Sequence, residues 1–288
     1  MSPEKKSGFA VLAGRSNVGK SSLLNALVGS KVAIVTPKPQ TTRHPVRGIL
    51  HDPRGQIVFV DTPGVFLGKK DAVSNRLNEI VREQLEGIDV IIYVVDPTRA
   101  PGPEEENIQK LLRAQDVPVI VAINKSDLNE QEKPFLNAAQ AIDVGQRATI
   151  EISATKHYDL NRLLDMLFAL LPEGIPYYPD QQFTDMGHRE WIAELIREKL
   201  FLHLEQELPY SIHVEVTSVE KRKNGMEYIA ATIWTTDERY KAMIVGAGGQ
   251  KIKTIGAAAR KELELAMNQK VFLDLVVDID PKWQERFV

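Results

Sequence analysis

A glycine-containing loop with a lysine and a serine lies near the start of the chain, where residues 14–21 read GRSNVGKS. A short apolar stretch precedes the loop, and a helical pattern follows from about Lys20. In that context backbone N–H groups close around phosphates, Lys20 neutralises them, and Ser21 binds Mg²⁺. The alternative is an ordinary glycine turn before a helix. We predict that the whole loop contacts a nucleotide, through Gly14, Arg15, Ser16, Asn17, Val18, Gly19, Lys20, Ser21 and Ser22.

A short acidic segment, residues 61–64 (DTPG), follows the loop by about forty residues. It ends a stretch with strand character, so a carboxylate at Asp61 can hold the water shell of a metal and the Gly64 N–H can meet a γ-phosphate. Alone, such a tetrad also fits an ordinary acidic turn. After a phosphate loop it predicts nucleotide contacts at Asp61, Thr62, Pro63 and Gly64.

A third segment, residues 124–127 (NKSD), decides which base is bound. The Asp127 carboxylate can accept hydrogen bonds from the ring N–H and the exocyclic amine of guanine, whereas adenine offers no such donor pair on that edge. Asn124 is expected to tie loops together, and the aliphatic stem of Lys125 to lie over the base. Ser153 and Ala154, after the next strand pattern, are expected to offer a backbone N–H to the guanine carbonyl oxygen. The predicted ligands are GTP and GDP, with Mg²⁺.

Each of these segments follows an apolar strand pattern, so a sheet must position them. Strands are predicted at 9–12, 46–50, 57–60, 88–95, 117–123 and 149–152, and helices from Lys20 and at 72–85, 104–113 and 160–171. The runs at 88–95 and 117–123 are nearly all apolar, as in central parallel strands buried on both faces. The order predicts an α/β domain with a mostly parallel sheet and helices on both faces.

A change of composition separates this domain from the rest of the chain. Three prolines and a glycine lie within residues 171–179, which cannot continue a helix. We therefore predict a first domain at residues 1–175, a linker at 176–187 and a second domain at 188–288.

The second domain is expected to be α+β, in the order helix, strand, strand, helix, helix, strand. Residues 246–249 (GAGG) lie between the last two helices, and lysines follow at once. A G-x-x-G loop between two helices is the device by which a KH domain clamps a nucleic-acid backbone, and this order matches the type II variant. An ordinary turn beside a solvated lysine face is the alternative. The predicted RNA contacts are Gly246, Ala247, Gly248, Gly249, Lys251 and Lys253.

Residues 15–21 (RSNVGKS) and 39–44 (PQTTRH), with the order of the other segments, resemble the Ras-like GTPase superfamily and, within it, the bacterial Era GTPases. The resemblance covers essentially the whole chain. It implies a GTP-hydrolysing protein that binds the single-stranded 3′ end of small-subunit ribosomal RNA and acts as a nucleotide-dependent switch in assembly of the small ribosomal subunit. It also implies a cytoplasmic monomer with peripheral contact to the inner membrane.

The resemblance also implies roles for particular residues. Thr42, with Thr41 as the alternative, is the threonine that reaches Mg²⁺ only when the γ-phosphate is present; a solvated loop threonine is the other interpretation. The implied metal ligands are Ser21, Thr42 and Asp61. The implied catalytic residues are Asn17, Lys20, Thr42 and Gly64.

Two residues bear on the rate of hydrolysis. Val65 follows Gly64, where Ras-type enzymes carry a glutamine that orients water, and a valine cannot do so by hydrogen bonding. Hydrolysis is therefore expected to be slow or to depend on another group. In related GTPases an asparagine at the position of Asn17 helps to hold K⁺, so K⁺ stimulation is our hypothesis here; a purely structural asparagine is the alternative.

Composition limits the other possibilities. The chain has 288 residues, a net charge of −3 and no cysteine, which excludes disulfides, zinc–thiolate sites and iron–sulfur clusters. No apolar run is long enough to span a bilayer. One rival is a GTPase whose second domain binds protein or an acidic membrane surface. The other, a tRNA-modifying enzyme, is disfavoured because the chain has neither a catalytic cysteine nor a second glycine-rich nucleotide fingerprint.

Overall fold

The computed structural model describes residues 5–39, 41–63, 87–223 and 225–287. The chain divides into two compact units, Met1–Asp185 and Met186–Val288. The predicted helix at 72–85, and the predicted roles of Gly64 and Val65, lie outside the described residues.

The first unit is built on a sheet whose described strands follow the order β2-β3-β1-β4-β5-β6. Strand β2 runs antiparallel to β3, and every other neighbouring pair is parallel. The strands are β1 Lys6–Ala13, β2 Val46–Asp52, β3 Gly55–Asp61, β4 Val90–Val95, β5 Val119–Ile123 and β6 Ala148–Glu151.

Helices cover this sheet, and the described ones are α1 Lys20–Val28, α2 Pro103–Arg113, α3 Leu136–Gln140 and α4 Leu160–Leu170, with a 3₁₀ turn at Glu130–Glu132. Every residue of β3, β4 and β5 is buried, which requires cover on both faces. Alternate residues of β1, β4 and β5 share one core with Ile108 and Leu112 of α2. The predicted α/β fold class is confirmed. Helix α3 was not predicted, because five residues are too few to display a helical period.

The segment after α4 stays with the first unit up to its end at Asp185. Gln56 of β3 is 1% exposed, and its side-chain oxygen accepts hydrogen bonds from the backbone N–H groups of Tyr177 (2.8 Å) and Tyr178 (3.0 Å). Further along, the Ile49 N–H donates to the Phe183 carbonyl at 2.9 Å. Most of the segment that we expected to be a linker, 176–187, is therefore paired with the strands β2 and β3.

The second unit has a sheet in the order β7-β8-β9, antiparallel between β7 and β8 and parallel between β8 and β9. Its elements are α5 His188–His203, β7 Ile212–Lys221, β8 Glu227–Thr235, α6 Glu238–Val245, α7 Gln250–Met267, β9 Val271–Ile279 and α8 Trp283–Phe287. Alternate residues of β8 are buried, and helices α5 and α7 pack on one another and on the strands β7 and β9. Apart from short 3₁₀ turns and α8, this is the predicted order.

None of the helices in the described parts of the chain combines the length and the apolar character needed to cross a membrane.

Candidate nucleotide site and nucleic-acid loop

The loop between β1 and α1 closes around the side chain of Lys20. Its ammonium donates hydrogen bonds to the carbonyls of Gly14 (3.0 Å) and Arg15 (2.8 Å), and the side chain is buried. Burial lowers the pKa of Lys20 to about 8, although the Asp61 carboxylate opposes this. A phosphate in the loop would supply a second negative charge to this cation, which is the chemistry of a phosphate-binding loop.

Asn124 connects the phosphate loop to residues 124–127, the base-side segment. The Asn124 side chain donates to the Val18 carbonyl and accepts from the Ala154 N–H, both at 3.0 Å, and it is 4% exposed. Gly19 lies against this amide with φ at 101°, and a Cβ at Gly19 would meet the Asn124 nitrogen at 2.3 Å. Only glycine fits there, because any side chain would displace the group that ties the two loops together.

The three predicted metal ligands lie side by side. The Ser21 hydroxyl donates to one Asp61 oxygen at 2.5 Å and lies 3.3 Å from the Thr42 hydroxyl. Asp61 is fully buried, and burial raises the pKa of its carboxyl to about 6 against the opposing effects of Lys20 and of the Ser21 and Thr42 hydroxyls. The Thr41 hydroxyl instead bonds to Thr36 (2.6 Å) and to a backbone carbonyl, so Thr42 faces the cluster.

This cluster suits Mg²⁺ bound together with phosphates. The second Asp61 oxygen is buried and accepts no hydrogen bond from the described residues. The described parts of the chain contain no group of three or more acidic or histidine side chains able to hold a metal alone. A site of one carboxylate, two hydroxyls, water and phosphate oxygens matches the usual coordination of Mg²⁺ in nucleotide-binding proteins.

The base-side residues meet at the ends of β5 and β6. The Ser153 hydroxyl donates to Asp127 at 2.5 Å, which fixes one carboxylate oxygen. The backbone N–H groups of Ser153 and Ala154, from which we predicted a contact to the guanine oxygen, both have partners in the protein. The first donates to Tyr158 at 3.2 Å and the second to Asn124, so both are engaged within the protein. These two residues shape the base-side loop in this structure.

A cavity of about 540 Å³ lies between the phosphate loop and the base-side segment, within the usual range for ligand sites. Several of its lining residues were not predicted, notably Asp96, Thr98 and Arg99 after β4. The Arg99 guanidinium donates to the Ser16 carbonyl at 2.7 Å. An acidic turn at the carboxyl end of an apolar strand was the available signal, since binding residues collect there in parallel sheets.

Two predicted side chains of the phosphate loop bond away from its centre. The Arg15 guanidinium pairs with Glu104 at 2.9 Å and Glu105 at 3.3 Å on α2. Only the backbone of Arg15 therefore faces the centre of the phosphate loop, where its carbonyl accepts from Lys20. The amide nitrogen of Asn17 donates to the Pro37 carbonyl at 2.7 Å. That bond fits a loop-tying role. The side-chain oxygen, which K⁺ would require, accepts a long hydrogen bond of 3.5 Å from the Ser16 hydroxyl.

In the second unit, the predicted G-x-x-G segment does link α6 to α7. Gly246 has φ at 73°, and a Cβ there would lie 2.7 Å from the Lys251 Cβ, so the turn is too tight for a side chain. Ala247 and Gly248 are exposed at its tip, and Lys251 and Lys253 are exposed on the first turns of α7. No acidic residue lies in the first turn of α7, which favours an anion at this helix end.

The apolar residues around this loop divide into two groups. Ile244 and Ile255 are completely buried and belong to the core. Val245 and Ile252 are half-buried, and Met243 is 37% exposed, so these three can line a groove.

The fold and these sites define a P-loop GTPase that carries a KH domain. A family model described as "50S ribosome-binding GTPase" matches residues 9–125, and one described as "KH domain" matches residues 207–284. The GTPase Era of Halothermothrix orenii is 42% identical over 281 residues, 98% of this chain and 95% of that protein. The GTPase Era of Heliobacterium modesticaldum is 38% identical, over 98% and 94% of the two chains. The chain belongs to the family of Era GTPases, and it is a GTP hydrolase.

Two solved structures agree with this assignment. Era in complex with MgGDPNP and nucleotides 1506–1542 of 16S ribosomal RNA matches with a TM-score of 0.88 and 36% identity, covering 98% of this chain and 96% of that one. A point variant of Aquifex aeolicus Era bound to GDP·AlF₄⁻ gives the same TM-score, identity and coverage. The predicted family, fold class and enzymatic class are thereby confirmed, whereas the roles of individual residues stay predictions.

Proposed function

We propose that this GTPase is a switch in which GTP binding and hydrolysis in the first unit control how the second unit grips the 3′ end of small-subunit ribosomal RNA during assembly of that subunit. The observation that carries the nucleotide part is the convergence of Ser21, Thr42 and Asp61 beside the buried ammonium of Lys20. The RNA part is supported by the exposed tip of residues 246–249 and by the RNA that the solved Era complex contains.

The residues of the first unit divide the chemical work by their positions. Ser21, Thr42 and Asp61 would hold Mg²⁺, which would offset the negative charge of the phosphates in the reaction. Lys20 and the N–H groups at the start of α1 stabilise the negative charge that develops on the phosphates. Thr42 lies on the loop before β2, so its attachment to the Ser21–Asp61 cluster orders that loop in the GTP state and its release follows hydrolysis.

We propose that K⁺ supplies the positive charge that Ras-type systems take from an arginine. The Arg15 guanidinium is paired with two glutamates of α2, so it is not placed for this task. The Asn17 side-chain oxygen would ligate K⁺ near the phosphates. GTP turnover should therefore be faster in K⁺ than in Na⁺ at equal ionic strength, and Asn17→Ala should abolish the difference. Equal turnover of the unaltered protein in the two salts would refute the role.

RNA binding through residues 246–249 is tested by placing negative charge at the tip. Ala247→Asp/Gly248→Asp should repel the RNA backbone, and the affinity for a labelled 3′-end fragment should fall at least about tenfold at low salt. The matched control is Ala266→Asp/Asn268→Asp, which adds the same charge at exposed positions around the other end of α7, roughly 27 Å away along an 18-residue helix. Equal losses in the two variants would indicate a general charge effect and count against a clamp.

The switch requires that the two nucleotide states differ in RNA affinity. We expect the RNA to bind more tightly with a non-hydrolysable GTP analogue than with GDP, because only the γ-phosphate orders the loop that carries Thr42. Identical RNA affinities in the two states would refute the coupling while leaving both binding activities in place. Binding that resists salt and persists in Ala247→Asp/Gly248→Asp would instead favour the rival in which this domain binds protein.

On the family resemblance alone we further propose a cytoplasmic monomer that contacts the inner membrane peripherally. Sedimentation of the purified protein at micromolar concentration is expected to give the mass of one chain. Co-flotation with vesicles of anionic lipid, reversed by high salt, tests the membrane contact; absence of flotation at low salt would refute it.

A further inference from the structure

A buried aspartate holds the lysine that is expected to lie over the base. Asp96 directly follows β4 and is 2% exposed. One of its oxygens accepts hydrogen bonds from the Thr98 N–H at 2.9 Å and the Thr98 hydroxyl at 2.7 Å. The other accepts from the Lys125 ammonium at 2.6 Å.

This ion pair fixes the direction of the Lys125 side chain. Lys125 has a left-handed backbone conformation, with φ at 65°, and its side chain lines the nucleotide cavity together with Asp96 and Thr98. A lysine whose ammonium is held at one end has lost most of its rotamer freedom, so its aliphatic stem presents a preformed surface. Because the carboxylate is itself held by Thr98, the pair is more rigid than a solvent-exposed ion pair.

The geometry points to Asp96 as a positioning residue for nucleotide binding: although it lines the cavity, both of its oxygens are engaged by Thr98 and Lys125, so it acts through Lys125. The inference rests on the nucleotide site proposed above and adds a residue to it. Asp96 presets the Lys125 stem against the face of the base, so that binding does not have to order it. Discrimination between bases is left to Asp127, the residue that we predict to accept hydrogen bonds from the base edge.

The test measures the rate at which fluorescent GDP leaves the full-length protein. Asp96→Asn keeps the shape of the side chain but removes its charge, and Lys125→Met keeps the stem but removes the ammonium. Each is expected to release GDP about tenfold faster, the effect of losing one charge-assisted hydrogen bond. The double variant should be no faster than either single variant, because the two substitutions remove the same interaction. The preference for GDP over xanthosine diphosphate should stay unchanged in Asp96→Asn.

The matched control is Asp89→Asn, just before the opposite end of β4. Asp89 accepts a hydrogen bond from the Phe9 N–H at 2.7 Å and does not line the cavity. This variant should release GDP at the rate of the unaltered protein, even where its thermal stability falls. Should Asp96→Asn fail to fold, Thr98→Val is expected to speed release roughly threefold, because the Thr98 hydroxyl donates to the carboxylate and accepts from the Lys125 ammonium at 3.4 Å.

Three outcomes would overturn the inference. The first is a GDP release rate of Asp96→Asn, or of Thr98→Val where that variant replaces it, within twofold of the unaltered protein. The second is that the effects of Asp96→Asn and Lys125→Met on the release rate multiply in the double variant. The third is that Asp89→Asn accelerates release as much as Asp96→Asn does. If the unaltered protein failed to bind GDP, the nucleotide site itself would be refuted, and that result is distinct from the other three.

Discussion

Two glycines at opposite ends of α1 allow the packing at the nucleotide site to be measured directly. Gly19 precedes the helix and Gly29 follows it, and both have positive φ, 101° and 73°. A Cβ at Gly29 would meet nothing within 4 Å, whereas a Cβ at Gly19 would lie 2.3 Å from the Asn124 nitrogen. Substitution by alanine therefore costs backbone strain at both positions but causes a collision only at Gly19.

The expected magnitudes follow from these contacts. Alanine at positive φ costs about 1–2 kcal/mol, so Gly29→Ala should lower the free energy of unfolding of the first unit by that amount. Gly19→Ala causes a similar backbone strain and also displaces Asn124 from the Val18 carbonyl and the Ala154 N–H. Two lost hydrogen bonds add about 2 kcal/mol. Since the displaced loop must be restored when nucleotide binds, the affinity for GDP should fall about thirtyfold in Gly19→Ala and stay unchanged in Gly29→Ala.

The assay has a built-in control for unfolding. All three tryptophans, Trp191, Trp234 and Trp283, lie in the second unit, so tryptophan fluorescence in urea follows that unit alone. Far-UV circular dichroism detects both units, and its additional transition reports the first unit. Titration with fluorescent GDP gives the affinity. Gly19→Ala with the stability loss and the GDP affinity of Gly29→Ala would refute the packing argument.

Other predictions concern the metal cluster and the loop residues. Thr42→Ala should weaken binding of Mg²⁺–GTP about tenfold relative to Mg²⁺–GDP, whereas Thr41→Ala should affect both nucleotides alike; competition titrations decide, and the reverse pattern would contradict our assignment. Burial raises the pKa of Asp61 to about 6, so this group's unfavourable contribution to folding is fully present above pH 6 and disappears as the pH falls towards 4. Because Mg²⁺ needs the ionised carboxylate, the Mg²⁺ concentration for half-maximal GTP binding should rise about tenfold per unit as the pH falls below 6, and a flat profile would exclude Asp61 as a ligand. The pKa of Lys20 is lowered to about 8, so the unfavourable contribution of this group to folding persists below pH 8 and is lost as the pH rises towards 10.5. Urea unfolding of the nucleotide-free protein at pH 7 and pH 10 tests this. A loss of stability attributable to Lys20 at the higher pH would contradict it. Asn17→Ala removes the side-chain oxygen as well as the hydrogen bond to the Pro37 carbonyl, and it should abolish the stimulation of GTP turnover by K⁺. A variant still stimulated by K⁺ would point to another ligand.

The sequence predicts best what depends on local pattern. The apolar runs that became β4 and β5, and the helical period that became α2, were predicted to within a few residues because burial dictates their periods. The sequence also predicts that the nucleotide-binding segments meet, since each follows a strand and parallel strands bring their carboxyl ends to one edge of the sheet.

What the sequence does not reveal depends on contacts between distant residues. The Asp96–Lys125 pair joins residues 29 positions apart; the local sequence shows an acidic turn after an apolar strand but not the lysine that the aspartate holds. Likewise, prolines show that residues 172–179 are not helical, but the contacts that pack this segment on the sheet, such as that of the buried Gln56 amide, join it to distant residues. Our preference for Thr42 over Thr41 rests on the hydroxyl positions, because adjacent threonines look alike in sequence.

Crosslinking of RNA to the protein in cells, followed by sequencing, tests the proposed switch on ribosomal RNA most directly. The unaltered chain, Ala247→Asp/Gly248→Asp and the control Ala266→Asp/Asn268→Asp would be compared. We predict a signal concentrated at the 3′ end of small-subunit ribosomal RNA, lost in the first variant and kept in the control. A diffuse signal that none of the substitutions changes would contradict the RNA clamp and leave a GTPase whose second domain recognises something else.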